Sequence, residues 1–183
     1  LRPIDLIHWP TIVLPSFTTH MTPRPQERSV RIIGGNWRGR KISFAGSDAI
    51  RPTPDRIRET LFNWLSGPVN GARTLELYGG SGALSFEALS RGAQTADLVE
   101  LDAVTARTVE REKSLLDASA LQVHRAEALD WLQLNHGPWD IAFVDPPFGM
   151  DVLEPLTMLA NRLVPGGLVY VETPVRLDPV ALP

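Results

Sequence analysis

Leu75-Glu76-Leu77-Tyr78-Gly79-Gly80-Ser81-Gly82-Ala83-Leu84 is the stretch on which the fold turns. A short apolar run ends in a glycine-rich turn, and the turn opens a helical pattern. Glycines let the backbone approach a ligand closely where a strand end meets a helix N-terminus, the crevice in which doubly wound sheets bind their ligands. Working outward, the pattern keeps alternating. Strands are predicted over residues 74–78, 95–100, 120–124, 139–144 and 167–172, and helices over 83–91, 103–117, 128–134 and 152–163. Five strands joined by crossover helices imply an α/β protein with a mostly parallel, doubly wound sheet covered on both faces.

The 183 residues amount to one domain, and no apolar run reaches the roughly 18 residues of a membrane span. With no secretory signal visible, a cytoplasmic location is expected. The chain has no cysteine, and His8, His20, His124 and His136 show no ligand spacing, so neither disulfides nor a metal site is expected. The net charge of −3 conceals a split: residues 1–58 hold ten Lys/Arg against four Asp/Glu, and the remainder is acidic. A basic end of this kind neutralises phosphates while the rest of the protein stays acidic.

That basic end has its own organisation. Residues 1–28 are proline-rich and aperiodic, and Met21 reads as a natural start that makes residues 1–20 an upstream extension. Residues 29–68 form a basic unit: Arg31-Ile32-Ile33 and Arg40-Lys41-Ile42-Ser43-Phe44 flank a glycine-rich tip, giving a hairpin with Trp37 exposed among cations. Thr53 is expected to cap a following helix with Pro54 at its first position. Ile57, Leu61, Phe62, Trp64 and Leu65 make its apolar stripe, with Arg56 and Arg58 off it. Residues 69–183 then hold the sheet. A further mixed-charge run, Glu110-Arg111-Glu112-Lys113, reads as an exposed helix face.

Two features describe a ligand. Glu100 ends the second sheet strand, where a carboxylate can take both ribose hydroxyls, so the glycine turn and Glu100 together specify a nucleoside cofactor. The turn lacks the third glycine of a dinucleotide fingerprint, and Glu76 would repel a pyrophosphate yet suits the ammonium of a methionine moiety. The second feature is Asp145-Pro146-Pro147-Phe148, directly after the apolar run Ile141-Ala142-Phe143-Val144. Each proline lacks an N–H and holds its predecessor extended, so the corner offers a carboxylate and backbone carbonyls without a competing donor. Such acceptors grip the hydrogens of an exocyclic amine, and an aromatic ring stacks on the base that carries it. S-adenosylmethionine agrees with the missing glycine, with Glu76 and with the corner; a nicotinamide cofactor agrees with one of the three.

Val30-Arg31-Ile32-Ile33-Gly34-Gly35-Asn36-Trp37-Arg38-Gly39-Arg40-Lys41, Arg51-Pro52-Thr53-Pro54-Asp55-Arg56-Ile57-Arg58-Glu59-Thr60-Leu61-Phe62-Asn63-Trp64-Leu65, the glycine turn and the Asp-Pro-Pro-Phe corner together resemble the bacterial 16S ribosomal RNA guanine-N2 methyltransferases of the RsmD type, Rossmann-like class I methyltransferases. The resemblance implies S-adenosyl-L-methionine as cofactor and 16S rRNA, in the small ribosomal subunit or its assembly intermediate, as partner of a monomer. It implies that Asp145, Pro146 and Phe148 act on the target guanine, and that Glu76, Tyr78, Gly79, Gly80, Ser81, Gly82, Glu100, Leu101, Glu127, Ala128 and Asp145 line the cofactor site. Arg31, Trp37, Arg38, Arg40, Lys41, Arg51, Arg56 and Arg58 would face RNA. The family has Asp, Phe-Ala and Gly where this chain has Glu76, Tyr78-Gly79 and Ser85, and the smaller Gly79 is expected to make room for the longer Glu76. Family members also continue past the fifth strand with a terminal hairpin, so the end at Pro183 implies either a truncation or the absence of those strands. An adenine-N6 methyltransferase acting on DNA or RNA, a nicotinamide-dependent oxidoreductase and a non-catalytic RNA-binding assembly factor are the alternatives.

Overall fold

A computed structural model describes residues 28–44, 52–147, 149–173 and 177. The elements, in chain order, are β1 (Ser29–Arg31), β2 (Lys41–Ser43), α1 (Asp55–Trp64), β3 (Arg73–Leu77), α2 (Ala83–Ser90), β4 (Thr95–Glu100), α3 (Ala103–Leu116), β5 (Leu121–Arg125), α4 (Ala128–Leu134), β6 (Trp139–Val144), α5 (Leu153–Ala160) and β7 (Leu163–Val171). Strands β1 and β2 form an antiparallel hairpin, and the other five form a parallel sheet in the order β5-β4-β3-β6-β7. The doubly wound α/β architecture is the one expected. Among the described residues no helix is long and apolar enough to cross a membrane. Apart from Arg28, the N-terminal extension lies outside the described residues, as do Arg51, Phe148, residues 174–176 and residues 178–183.

The central strands β3 and β6 are buried on both faces, which is why they read as apolar runs. On one face, Leu61 and Phe62 of α1 and Leu65 just after it, with Leu84 and Ala88 of α2, pack on Ile141, Phe143 and Tyr170. On the other, Ala128, Trp131 and Leu132 of α4 cover Leu75, Leu77, Ala142 and Val144. Helix α2 is buried at all eight positions, because the sheet lies beneath it and the hairpin and α1 lie over it.

Several local expectations are corrected by packing. Helix α1 begins one residue later than predicted: Pro54 keeps an extended ψ of 147° at the cap position, and Thr53 makes no side-chain cap. Instead Thr53 is buried, and its carbonyl accepts from Arg58 Nε at 3.1 Å. Trp64 is 51% exposed rather than core, since residues 58, 61, 62 and 65 fill the buried arc. Helix α5 ends at Ala160, not at residue 163, and β7 starts early because Leu163 pairs with Trp139 across a register shift. Glu112 is buried rather than on an exposed face, with Arg111 Nη2 at 3.0 Å.

Arg58 is the largest correction. It is fully buried, on the apolar stripe rather than off it, and it is no phosphate ligand. Its Nη2 donates to Asp55 Oδ1 at 2.6 Å and to the Arg31 carbonyl at 2.8 Å, and its Nη1 reaches Glu87 Oε2 at 3.3 Å. Glu87, equally buried on α2, also accepts from the backbone N–H groups of Ile33 and Gly34 at 2.8 Å each and from Arg91 Nε at 2.7 Å. One carboxylate thereby ties the hairpin and α1 to α2. Trp37 joins this junction: it is half-buried, edge-on to Phe86 at 6.5 Å, and its backbone N–H donates to Ser90 Oγ at 2.9 Å. The tip turn requires glycine at position 35, whose φ is 74° and where a Cβ would meet the Ser90 carbonyl oxygen at 1.8 Å.

Candidate active site

The C-terminal ends of β3, β4, β6 and β7 bring the predicted cofactor and base residues to one edge of the sheet. After β3 the chain turns sharply. Tyr78 takes φ 60° and Gly80 φ 51°, and Gly82, at φ 72°, occupies the cap position of α2. The loop is held from β4: the Gly79 N–H donates to the Val99 carbonyl at 2.9 Å, and the Gly80 N–H to Glu100 Oε2 at 2.8 Å. Glu100 Oε1 accepts from the Asp102 N–H at 2.7 Å. Glu100 therefore shapes the loop with one lone pair of each oxygen and keeps the others for a ligand.

Glu76 lies beneath this loop and is 5% exposed. Its Oε2 accepts from the Ser85 N–H at 2.8 Å and from the Ser85 hydroxyl at shorter range. The two positions read as departures from the family, Glu76 and Ser85, therefore meet each other: the acid accepts from the hydroxyl on the first turn of α2. Gly79 plays no part in this accommodation, because the side chain of Leu98 already fills the space beside it, 2.4 Å from where a Cβ would stand. Burial pushes the Glu76 carboxyl up to about 7 against the lowering effect of the Ser85 and Leu84 hydrogen bonds, with Glu100's charge adding to the rise.

Asp145 follows β6 on the same face, half-buried, with Pro146 half-buried and Pro147 exposed behind it. Burial, followed by the negative charges of Glu172 and Glu76, pushes Asp145 up to about 7. Glu172, at the end of β7, is itself raised by burial, opposed by a hydrogen bond from the Tyr170 hydroxyl at 3.2 Å. Glu172 is not among the residues expected at the site. Its placement at the end of a strand predicted over 167–172 is the signal that could have found it, since strand ends in such sheets line the crevice.

The far end of the edge is more apolar. Leu101 is 65% exposed beside Glu100, and Ala128 is buried on the first turn of α4. Glu127 caps α4, its Oε2 accepting from the Leu129 and Asp130 N–H groups at 2.8 and 2.9 Å, which leaves Oε1 for a ligand. The Tyr78 hydroxyl is buried without a hydrogen-bond partner among the described residues, and burial, then the charges of Glu127 and Glu154, raise it. An acidic, partly dry cleft flanked by an apolar shelf and an unpartnered hydroxyl fits a cationic nucleoside: ammonium and sulfonium against the carboxylates, ribose at Glu100, base at Leu101 and Ala128. A pyrophosphate does not fit beside Glu76 and Asp145.

The residues expected to face RNA divide. Arg31, Arg38, Arg40, Lys41 and Arg56 are exposed. Arg31 pairs with Asp55 at 3.3 Å, and Arg40 Nη2 lies 3.4 Å from the Leu115 carbonyl. Arg58 and Trp37 belong to the junction described above.

A family profile described as "Conserved hypothetical protein 95" matches residues 30–182. The chain is 42% identical over 150 residues to ribosomal RNA small subunit methyltransferase D of Escherichia coli, covering 80% of this chain and 76% of that protein. It is likewise 42% identical over 151 residues to the Haemophilus influenzae protein of the same name, covering 79% and 78%. The solved structure of a candidate methyltransferase from Escherichia coli superposes with a TM-score of 0.72 at 40% identity, covering 79% of this chain and 80% of that one.

Proposed function

The chain belongs to the Conserved hypothetical protein 95 family, that of ribosomal RNA small subunit methyltransferase D, and from this membership we propose that it methylates the exocyclic N2 of one guanine in 16S rRNA, using S-adenosyl-L-methionine. The carrying observation is the adjacency of the Asp145-Pro146 corner to Glu76 and the glycine loop on one edge of the sheet. The substrate is the small ribosomal subunit or its assembly intermediate in the cytoplasm, and the protein acts on it as a monomer and without a metal.

When bound, the cofactor supplies a methyl group already activated on a sulfonium. The chain's own work is positioning and electrostatics. Glu76 holds the ammonium, Glu100 the ribose, and Tyr78, Leu101, Glu127 and Ala128 surround the base. The Asp145 carboxylate and the Pro146 carbonyl accept the two N2 hydrogens of the guanine, which turns the nitrogen lone pair toward the incoming methyl. Methyl transfer would exchange the carbon's bond to sulfur, which leaves as a neutral thioether, for the new N–C bond; the nitrogen must then shed one proton, and Asp145, pushed up to about 7, is matched to hold it before release to water. Phe148 stacks on the guanine, a contact worth about 1–3 kcal/mol. Extruding the base from structured RNA costs a few kcal/mol. Arg38, Arg40, Lys41, Arg51 and Arg56 take phosphates around it.

The test is transfer of radiolabelled methyl to 30S particles from cells lacking this protein, followed by mapping of the modified nucleotide. A single N2-methylguanine in 16S rRNA is expected, abolished in Asp145→Ala with cofactor binding retained. Label on adenine, or wild-type turnover in Asp145→Ala, overturns the reading.

A further inference from the structure

An amine held by a carboxylate and a carbonyl does not yet distinguish guanine from adenine. Guanine presents its N2 amine beside an N1–H donor, whereas adenine presents its N6 amine beside an N1 lone pair. Discrimination therefore needs an acceptor next to Asp145, aimed at the ring nitrogen.

The sheet supplies one. β6 and β7 run in register with Phe143 opposite Tyr170 and Val144 opposite Val171, so the next positions along the two strands are Asp145 and Glu172. The Glu172 N–H donates to the Val144 carbonyl at 2.9 Å, which carries the pairing past the strand end. Phe143 and Tyr170 pack into the same core layer under α1. Strand alternation then turns Asp145 and Glu172, two residues further on, to that same face. The Tyr170 hydroxyl donates to Glu172 Oε2 at 3.2 Å, which orients the carboxylate and leaves Oε1 to accept. Tyr170 is itself 7% exposed, so the clamp is held by the core.

We propose that Glu172 is the guanine-determining residue of the site, its Oε1 accepting the N1–H of the target base while Asp145 and the Pro146 carbonyl take the N2 hydrogens. The two carboxylates match a row of donors along one edge of guanine. An adenine turned to offer N6 to Asp145 places its N1 lone pair against Glu172, and like charge density repels it. This inference rests on the methyl-transfer reading above and assigns the choice of base to a strand end outside the Asp-Pro-Pro corner.

The test uses small subunits reconstituted with 16S rRNA carrying either guanine or 2-aminopurine at the mapped target, since 2-aminopurine keeps the N2 amine but has a lone pair at N1. Wild-type protein is expected to methylate guanine faster than 2-aminopurine by roughly 10- to 100-fold, the discrimination that one base-edge interaction provides. In Glu172→Gln, whose amide can turn its donor to the N1 lone pair, the ratio is expected to fall to within about threefold of unity; Glu172→Asp, which keeps the carboxylate, is expected to retain a preference. An unchanged ratio in a Glu172→Gln protein that still methylates guanine overturns the proposal. So do equal rates on the two purines with wild-type protein, a measurement that needs no variant to fold. Wild-type protein that methylates neither purine overturns the methyl-transfer reading together with this one.

Discussion

Replacing Glu87 by alanine tests the charged junction between the hairpin and the sheet domain. The substitution leaves Arg58 fully buried with Asp55 as its remaining anionic partner, at 2.6 Å, and strips the acceptor from the Ile33 and Gly34 N–H groups. Breaking one side of a buried ion pair costs about 3–5 kcal/mol; the surviving Asp55 interaction places this case at the lower end. Each orphaned N–H adds about 1–3 kcal/mol, less what water recovers in the space vacated. A loss of about 4–6 kcal/mol is expected, a large part of the roughly 5–15 kcal/mol that stabilises a domain. Urea denaturation measures the total, and native-state hydrogen exchange localises it: the Ile33 and Gly34 amides should lose protection before the amides of β3 and β6. The double variant Arg58→Met/Glu87→Leu should recover part of the loss, because the fully buried charge is gone while the Ile33 and Gly34 N–H groups stay without their acceptor. A Glu87→Ala protein that loses less than about 1 kcal/mol, or whose Ile33 and Gly34 amides exchange at the wild-type rate, refutes the reasoning.

The raised acids make stability depend on pH in a definite direction. Glu76 binds its proton more tightly folded than unfolded, so its contribution is fully present below about 4.5 and is lost as pH rises through about 7. At pH 8 Glu76→Gln should therefore be more stable than wild type, by up to about 3 kcal/mol, in thermal melts, while binding the cofactor at least tenfold more weakly in calorimetry. Ser85→Ala removes a hydrogen bond that favours the ionised Glu76, so the pH midpoint of cofactor binding should move upward; a downward move contradicts the assignment. Because the cleft gains negative charge between pH 6 and 8, binding of S-adenosylmethionine should strengthen relative to the sulfonium-free S-adenosylhomocysteine over that range. Removing Arg38 and Lys41 should weaken rRNA binding and lower the slope of log affinity against log salt by about 0.7–0.9 for each phosphate no longer neutralised, without changing cofactor affinity.

The order of strands and helices, the glycine turn and the Asp145-Pro146 corner are legible in the sequence, because period-two and period-3.6 patterns and the restrictions of glycine and proline act within a few residues. Strands β4 and β6 and helix α4 carry the bounds expected of them. Charge is the less legible part. Arg58, Leu61, Phe62 and Leu65 stand at the spacing of one helix face, yet a lone cation does not bury, so the sequence pattern assigns the basic side chain to solvent. It buries here because Glu87, 29 residues away, arrives on α2 with two backbone N–H groups of the hairpin already on its oxygens.

The same division runs through the site. Chain-local constraints are enough to establish a doubly wound sheet, a glycine loop at its edge and an amine-gripping corner after β6. They do not establish that Glu76 is received by Ser85 rather than by Gly79, that Trp37 packs on Phe86 rather than facing solvent, or that Glu172 stands beside Asp145. Each of these depends on register and on which helix covers which face. A charge or ring takes its chemical role from the partners that surround it, and those partners come together only when distant strands and helices pack.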